Sequence, residues 1–382
     1  MHELLRKSIK KLLRTCAANR RRHEETLSMP GQLSRVLYFI AGGIGDGILA
    51  FPAIRLIRRL YPDAHLLIYV PPSSYDVLRA AFSEYDVRSL TKWNAFRLVF
   101  SRADICFTNT IAVFRLSIES LSYIVGRKSF GFRYPEEKSR ERLYDHTIPI
   151  SSSIHDTDQN LQLVADGFGV TYQEDDRLLM KRRWDTISSD GPVVIHPGVA
   201  KGFEYKKWPL ENFVDLARRL SRSTAQIHIL LGPSDTTYAS DFRQIPHVSI
   251  QQNLDGRRLI EELQSASAFI GNDSGPAHLA SFYGVPTITL IGPADPLRTA
   301  PRATRTIPVY KKQPCSPCHF STGGCTHNIC MTAIGVDDVL ESMDRLRHMH
   351  NTRFQRTMTP TQMVPVIEQP KQGGHGRETT ET

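Results

Sequence analysis

The residues best suited to chemistry form the turn Gly271-Asn272-Asp273-Ser274-Gly275-Pro276, set between two apolar runs. Ala268 to Ile270 before it and Thr287 to Ile291 after it read as buried strands, with a short helix following the turn. Pro276 suits a first helical position, because proline has no N–H to lose and its φ is already helical. Ser274 and Gly275 are small and leave backbone N–H groups uncovered. A helix N-terminus off the carboxyl end of a strand attracts anions, phosphates above all. Taken alone, the same pattern also describes an ordinary crossover with a capped helix.

A second glycine-rich turn, Gly42-Gly43-Ile44-Gly45-Asp46-Gly47, follows the first apolar run. Gly45, Gly47 and Ala50 fit the relaxed dinucleotide fingerprint, which also needs an acidic residue at the end of the next strand. That strand ends Tyr69-Val70-Pro71-Pro72, so a dinucleotide site is excluded. No Lys-Ser/Thr follows Gly47, so this is not a phosphate-binding P-loop either. What remains is Asp46 at a helix start, where a carboxylate serves as a cap or as a general base facing a cleft.

Three further segments carry candidate groups. Lys201, Lys206 and Lys207 lie between the strand ending in His196 and the helix opened by Trp208-Pro209. A lysine so placed can neutralise a diphosphate as a point charge, or simply decorate a solvated loop. Ser234 and Asp235 follow the Gly232-Pro233 turn, as helix cap or ribose ligand. Cys315, Cys318, Cys325 and Cys330, with His319 and His327 nearby, suit a structural zinc site. The bland alternative is four reduced thiols.

These groups need a frame, and the hydrophobic pattern supplies one. Strands are expected at Val36 to Ile40, His65 to Val70, Asp104 to Phe107 and Lys128 to Phe132, with helices at 48–60, 73–82, 113–125 and 155–167. A second run has strands at Val193 to His196, Gln226 to Leu231 and around the two apolar runs above. Its helices are expected at 210–220, 257–265 and 336–347. Such alternation predicts α/β domains with parallel sheets. The boundaries read as an N-terminal extension at 1–30, one domain at 31–172, a linker at 173–190, a second domain at 191–349 and a disordered tail at 350–382.

The net charge of +9 is concentrated at one end. Residues 1–22 hold eight Lys/Arg and one acid, Glu3, leaving the remainder nearly neutral. A nucleic-acid enzyme would carry its basic residues along the folded surface, so nucleic acid is not an expected partner. Residues 1–15 pattern as a basic amphipathic helix, with Leu4, Leu5, Ile9, Leu12 and Leu13 on one face. That suits peripheral contact with an anionic membrane surface. With no membrane-length apolar run and no secretory signal, a cytoplasmic protein, peripheral at the inner membrane, is expected.

Taken in order, the segments GGIGDGILAFPAIRLIRRLYPDA, HDTDQNLQLV, VVIHPG, KKWP, FIGNDSGPAHLASFYGVPTITLIGP and CSPC resemble glycosyltransferase family 9, the ADP-heptose:lipopolysaccharide heptosyltransferases. The resemblance spans roughly 35–347. It implies the GT-B fold, two Rossmann-like domains facing across a cleft, with the donor nucleotide on the second domain and the acceptor on the first. It implies inverting transfer of heptose from ADP-heptose to a lipid A-linked lipopolysaccharide core acceptor, with no cofactor required. By the same resemblance Asp46 is the catalytic base, and Gly43, Gly45 and Gly47 form the acceptor-side turn. Lys206 binds phosphate, Asp273 holds the donor sugar, and Ser274, Gly275, Pro276 and His278 belong to the donor loop. Asp235 is expected near the nucleoside. Gly47 and Phe51 depart from the family pattern, and both are expected to face the acceptor. The alternatives are a GT-B transferase using another nucleotide sugar on a different surface glycan, or a non-catalytic nucleotide- or glycan-binding member.

Overall fold

The structure is a computed structural model that describes residues 33–109, 116–134, 144–177, 190–223, 226–303, 305–318, 325 and 327–351. The basic N-terminal segment, most of the 173–190 segment and nearly all of the C-terminal tail lie outside the described residues.

Twelve strands among the described residues form two six-stranded sheets. The first contains β1 (Arg35–Phe39), β2 (His65–Val70), β3 (Asp86–Ser89), β4 (Ala103–Thr108), β5 (Gly126–Arg133) and β6 (His146–Pro149), in the order β3-β2-β1-β4-β5-β6. The second contains β7 (Val193–His196), β8 (Ile227–Leu231), β9 (Val248–Gln252), β10 (Ala268–Asn272), β11 (Thr287–Ile291) and β12 (Thr306–Tyr310), in the order β12-β11-β10-β7-β8-β9. All pairings are parallel. Both orders are the doubly wound arrangement, in which the chain reverses direction beside the central strand and opens a crevice there. The first crevice lies beyond β1 and β4, the second beyond β10 and β7.

The helices of the first unit are α1 (Ile44–Leu60), α2 (Pro72–Ala81), α3 (Lys92–Val99), α4 (Leu116–Val125) and α5 (Asp156–Phe168). The second unit has α6 (Leu210–Leu220), α7 (Ala239–Phe242), α8 (Gly256–Ser265), α9 (Gly275–Phe282), α10 (Pro296–Thr299), α11 (Ile329–Thr332) and α12 (Val336–Asn351). Alternation along the central strands divides the first core in two. Val36, Tyr38, Leu66 and Ile68 pack with α1, α2 and α5. Leu37, Phe39, Leu67 and Tyr69 pack with Leu98 of α3 and Ile118, Leu121 and Val125 of α4.

The α1–α2 side of the first sheet docks on the second domain, where α1 meets α9 and α2 meets α8. Phe51 of α1 lies at the centre of this junction, 4.8 Å from the Phe282 ring and 5.0 Å from the Phe82 ring. Phe51 and Gly47, expected from the sequence to face the acceptor, both pack against protein. Phe51 is buried between the domains, and a side chain on Gly47 would meet Leu78 of α2. Replacing Phe51 with Ala should cost about 3–5 kcal/mol, the usual range for emptying a buried aromatic site. Urea unfolding of the variant measures that loss.

The start of α5 forms a second tie between the domains. Asp156 accepts a hydrogen bond from Arg298 Nε at 2.9 Å, and Asp158 accepts one from Arg302 at 2.8 Å. His155 accepts the Thr157 N–H through Nδ1 and lies 3.0 Å from the Ala300 carbonyl through Nε2. With Nδ1 accepting, the proton belongs on Nε2, which donates to Ala300. Burial holds the His155 pKa down at about 4, so the ring stays neutral.

Candidate functional site

Asp46 sits in the first turn of α1. The helix begins at Ile44, four residues earlier than the sequence pattern predicts, so Gly45 and Gly47 are helical residues and not part of a turn. The reason is local: the Asp46 carboxylate accepts the Gly43 N–H at 2.7 Å and closes the helix start from within. Gly43 is the N-cap itself. The connection ahead of it is held by Asn109, whose side-chain oxygen accepts the Ala41 N–H at 2.9 Å.

Across the junction, β10 runs to Asn272 and α9 begins at Gly275, with Pro276 as the second helical residue. The turn between them is thus only Asp273 and Ser274. Ser274 occupies the N-cap of α9, yet its hydroxyl does not cap the helix. The Ser274 Oγ and the His278 Nδ1 are buried with no hydrogen-bond partner among the described residues. Both are free to serve a ligand at a helix N-terminus, where the backbone already favours an anion.

Asp273 is buried and doubly engaged. Lys206 Nζ donates to Oδ2 at 2.6 Å, and His278 Nε2 lies 3.6 Å from Oδ1. Burial pushes the Asp273 carboxyl up, but Lys206 and His278 overcome it and hold the group far below the usual carboxylate range. Burial opposes the charge on Lys206 too, and Asp273 overrides it, leaving the lysine raised. Lys206 also stands 5.6 Å from the centroid of the Phe203 ring.

The two helix starts face each other at backbone range. A Cβ placed on Gly45 would lie 2.9 Å from His278 Cδ2, and one on Gly275 would lie 2.9 Å from Ile44 Cβ. Asp46 therefore shares its surroundings with the Asp273 cluster. Burial raises its pKa, against the pull of the Gly43 N–H and of His278 and Lys206. One carboxylate is thus made more basic, and the other is pinned in its ionised form. That is the asymmetry expected of a proton acceptor beside a fixed anchor.

Asn272 was given no role from the sequence, yet it assembles this half of the site. Its side chain accepts the Trp208 N–H at 2.9 Å and donates to the Pro197 carbonyl at 2.8 Å. It thereby ties the His-Pro-Gly turn and the lysine block to the end of β10. An amide between a buried strand and an acidic turn was the available signal. Asp235 lies apart from the Asp273 cluster: it is buried and pairs with Lys207 at 3.1 Å.

Among the described residues, no group of three or more His, Cys, Asp or Glu is arranged to hold a metal ion. Cys315 and Cys325 are exposed, Cys318 is half-buried and Cys330 is buried, and none of the four is in a disulfide. Burial, reinforced by Cys318, Cys315 and Cys325, pushes the Cys330 thiol up to about 11. His327 is exposed, and His319 lies outside the described residues. The structural zinc therefore finds no ligand set among the described residues. No helix among them is long and apolar enough to cross a membrane.

Comparison with known proteins gives the family and the fold. The model of glycosyltransferase family 9 (heptosyltransferase) matches residues 121–324. The chain is 24% identical over 321 residues to lipooligosaccharide heptosyltransferase 2 of Campylobacter jejuni subsp. jejuni serotype O:2, covering 79% of this chain and 95% of the relative. Among solved structures it is similar to E. coli ADP-heptose lps heptosyltransferase II, with a TM-score of 0.63, 17% identity, and 83% of this chain and 100% of that one covered. The family 9 glycosyl transferase of Veillonella parvula aligns with a TM-score of 0.66 at 16% identity, covering 85% of this chain and 100% of the other. The fold is GT-B, and the chain belongs to glycosyltransferase family 9, the heptosyltransferase family, and is a glycosyltransferase.

Proposed function

We propose that this enzyme is an inverting heptosyltransferase that moves heptose from ADP-heptose to a lipopolysaccharide core acceptor linked to lipid A. The observation that carries this reading is the pairing of Asp46 with the Lys206–Asp273–His278 cluster across the domain junction. The printed activities of the similar proteins, heptosyltransferases of lipooligosaccharide and lipopolysaccharide, support the sugar and the acceptor class.

In this mechanism the acceptor hydroxyl attacks the anomeric carbon from the face opposite the leaving diphosphate. A new oxygen–carbon bond forms as the carbon–oxygen bond to the diphosphate breaks, and the hydroxyl proton passes to Asp46. The negative charge that grows on the leaving group is met by Lys206 and by the uncovered N–H groups at the start of α9. Ser274 Oγ and His278 Nδ1 supply the remaining polar contacts to the donor. Asp273 accepts from a sugar hydroxyl and keeps Lys206 in place. Asp235 positions Lys207 at the edge of the nucleotide site.

The test is a transfer assay in which ADP-heptose, UDP-sugars and GDP-sugars are each offered with truncated lipopolysaccharide acceptors. Product from ADP-heptose alone is the expected result. Product from another donor would overturn the substrate while keeping the fold and the base. Binding of nucleotide without transfer from any donor would overturn the catalytic reading. The pH profile adds a check. The base works only when ionised, and its raised pKa places the acid limb of the rate above the ordinary aspartate value of 3.8. The rate should therefore climb with pH through that raised value.

A further inference from the structure

The helix α3 has two apolar faces. Its inner face, with Leu98 buried and Ala95 and Val99 partly buried, packs against β1 and β2. Its outer face carries Trp93, Phe96 and, one residue past the helix end, Phe100, which are 64%, 48% and 76% exposed. These are the exposed large aromatics among the described residues. Their spacing puts them on one side of the helix, where Trp93 stacks on Phe96 with centroids 6.1 Å apart and Phe96 meets Phe100 edge-on at 5.2 Å. A ridge of this kind on a soluble surface marks an interaction site.

Beside the ridge is a cavity of about 480 Å³ between α3 and the edge strand β3. It is lined by Arg35, Arg88 and Arg97 and by one acid, Asp86. Arg88 already engages Asp86 through two hydrogen bonds, each 2.9 Å, while the Arg35 Nε is buried with no hydrogen-bond partner among the described residues. Lys92 and Arg102 flank the ridge in sequence and are exposed. The ridge and the three arginines lie on the side of the first sheet away from the second domain, with Tyr75 of α2 closing the far margin of the cavity.

We propose that the Trp93–Phe96–Phe100 ridge and the arginine cavity beside it form a docking face for an anionic lipid bilayer. The rings enter the interface between headgroups and acyl chains, where Trp and Phe are favoured. The guanidinium groups take lipid phosphates, which match their fork geometry. Charge complementarity selects this partner over a neutral protein surface, because the aromatic ridge is bordered by cations and its one lining acid is already paired. The face shares no residue with the basic segment at 1–15, and the reading does not depend on which sugar is transferred.

The experiment uses the full chain and vesicles of phosphatidylcholine with or without phosphatidylglycerol, carrying brominated acyl chains. In a W184F background, Trp93 emission should be quenched on the anionic vesicles, and the W93F/W184F protein should lose that quenching, since Trp208 is buried. Replacing all three rings with serine should lower partitioning at least about tenfold, with the thermal unfolding curve unchanged. The R88S/R97S variant should reduce the preference for phosphatidylglycerol. The proposal is overturned if the protein binds with Trp93 unquenched, if the triple variant binds normally, or if no binding occurs. It is equally overturned if sedimentation shows a dimer that the triple variant dissolves, since a second copy would then own the ridge.

Discussion

Replacing Asp46 with Asn should reduce transfer by about 10²–10⁴-fold, the span usually supplied by a general base, while nucleotide affinity stays near that of the native enzyme. The carboxylate sits on the first domain, and the proposed phosphate contacts sit on the second. Loss of the base therefore leaves the donor site intact. The same substitution should raise thermal stability at neutral pH. The folded-state pKa of Asp46 lies above its unfolded value, so the folded protein binds that proton more tightly than the unfolded chain. The ionised group consequently costs stability once the pH exceeds the raised value, and costs nothing below the unfolded one. Asparagine removes the charge and keeps an oxygen for the Gly43 N–H. A melting temperature that rises near pH 7.5 but not near pH 3, together with lost transfer, is the expected pair of results. A variant that keeps native turnover would remove Asp46 from the mechanism.

The second large effect is expected at Lys206. Its ammonium and the Asp273 carboxylate are mostly buried, with 16% and 6% of their side chains exposed. Replacing Lys206 with Met leaves an anion in a desolvated turn with only His278 beside it. Breaking such a pair costs about 3–5 kcal/mol. The removal of one charge-stabilising donor should cost a further ~10²–10³-fold in rate. The sign of the pH dependence follows from the depressed pKa of Asp273. Its stabilisation is present above the unfolded carboxylate value and is lost as the pH falls through the folded one. Without Lys206 the folded pKa rises, so acid unfolding should begin at a higher pH. The double variant K206M/D273L should regain much of the stability, because an apolar pair of similar volume tolerates burial, but it should regain no transfer. Urea unfolding at several pH values, run beside single-turnover transfer, separates the two contributions. Equal losses of stability in the single and double variants would show that the ion pair is not what matters there.

The sequence showed the interior of both sheets and hid their margins. The central strands, such as Val36–Phe39 and Val193–Ile195, are continuous apolar runs because both faces are covered. The strands at Asp86–Ser89, His146–Pro149, Val248–Gln252 and Thr306–Tyr310 were not recognised, and these are the four sheet edges. An edge strand is half wet and carries charges, polar residues or proline, as Arg88, Gln251 and Pro308 do here. The helix Lys92–Val99 was missed for a related reason: apolar residues on both faces erase the helical period. For the site, the motifs named the carboxylates and Lys206 because the chemistry requires those residue types. They said nothing of Asn272 or Asn109, whose work is to hold other loops and is visible only once the loops meet. They also did not reveal that Phe51 packs against Phe282 of the second domain, because which neighbour a helix position meets depends on contacts distant in the chain.

The glycines at 45 and 275 have a consequence for how this chain tolerates variation. They contribute no side-chain atom, yet the separation between the proposed proton acceptor and the proposed donor anchor is set by their missing side chains. In a saturation library selected for transfer, these two positions should be as intolerant as the carboxylates, with even alanine depleted. The purged alanine variants should still fold and still bind nucleotide.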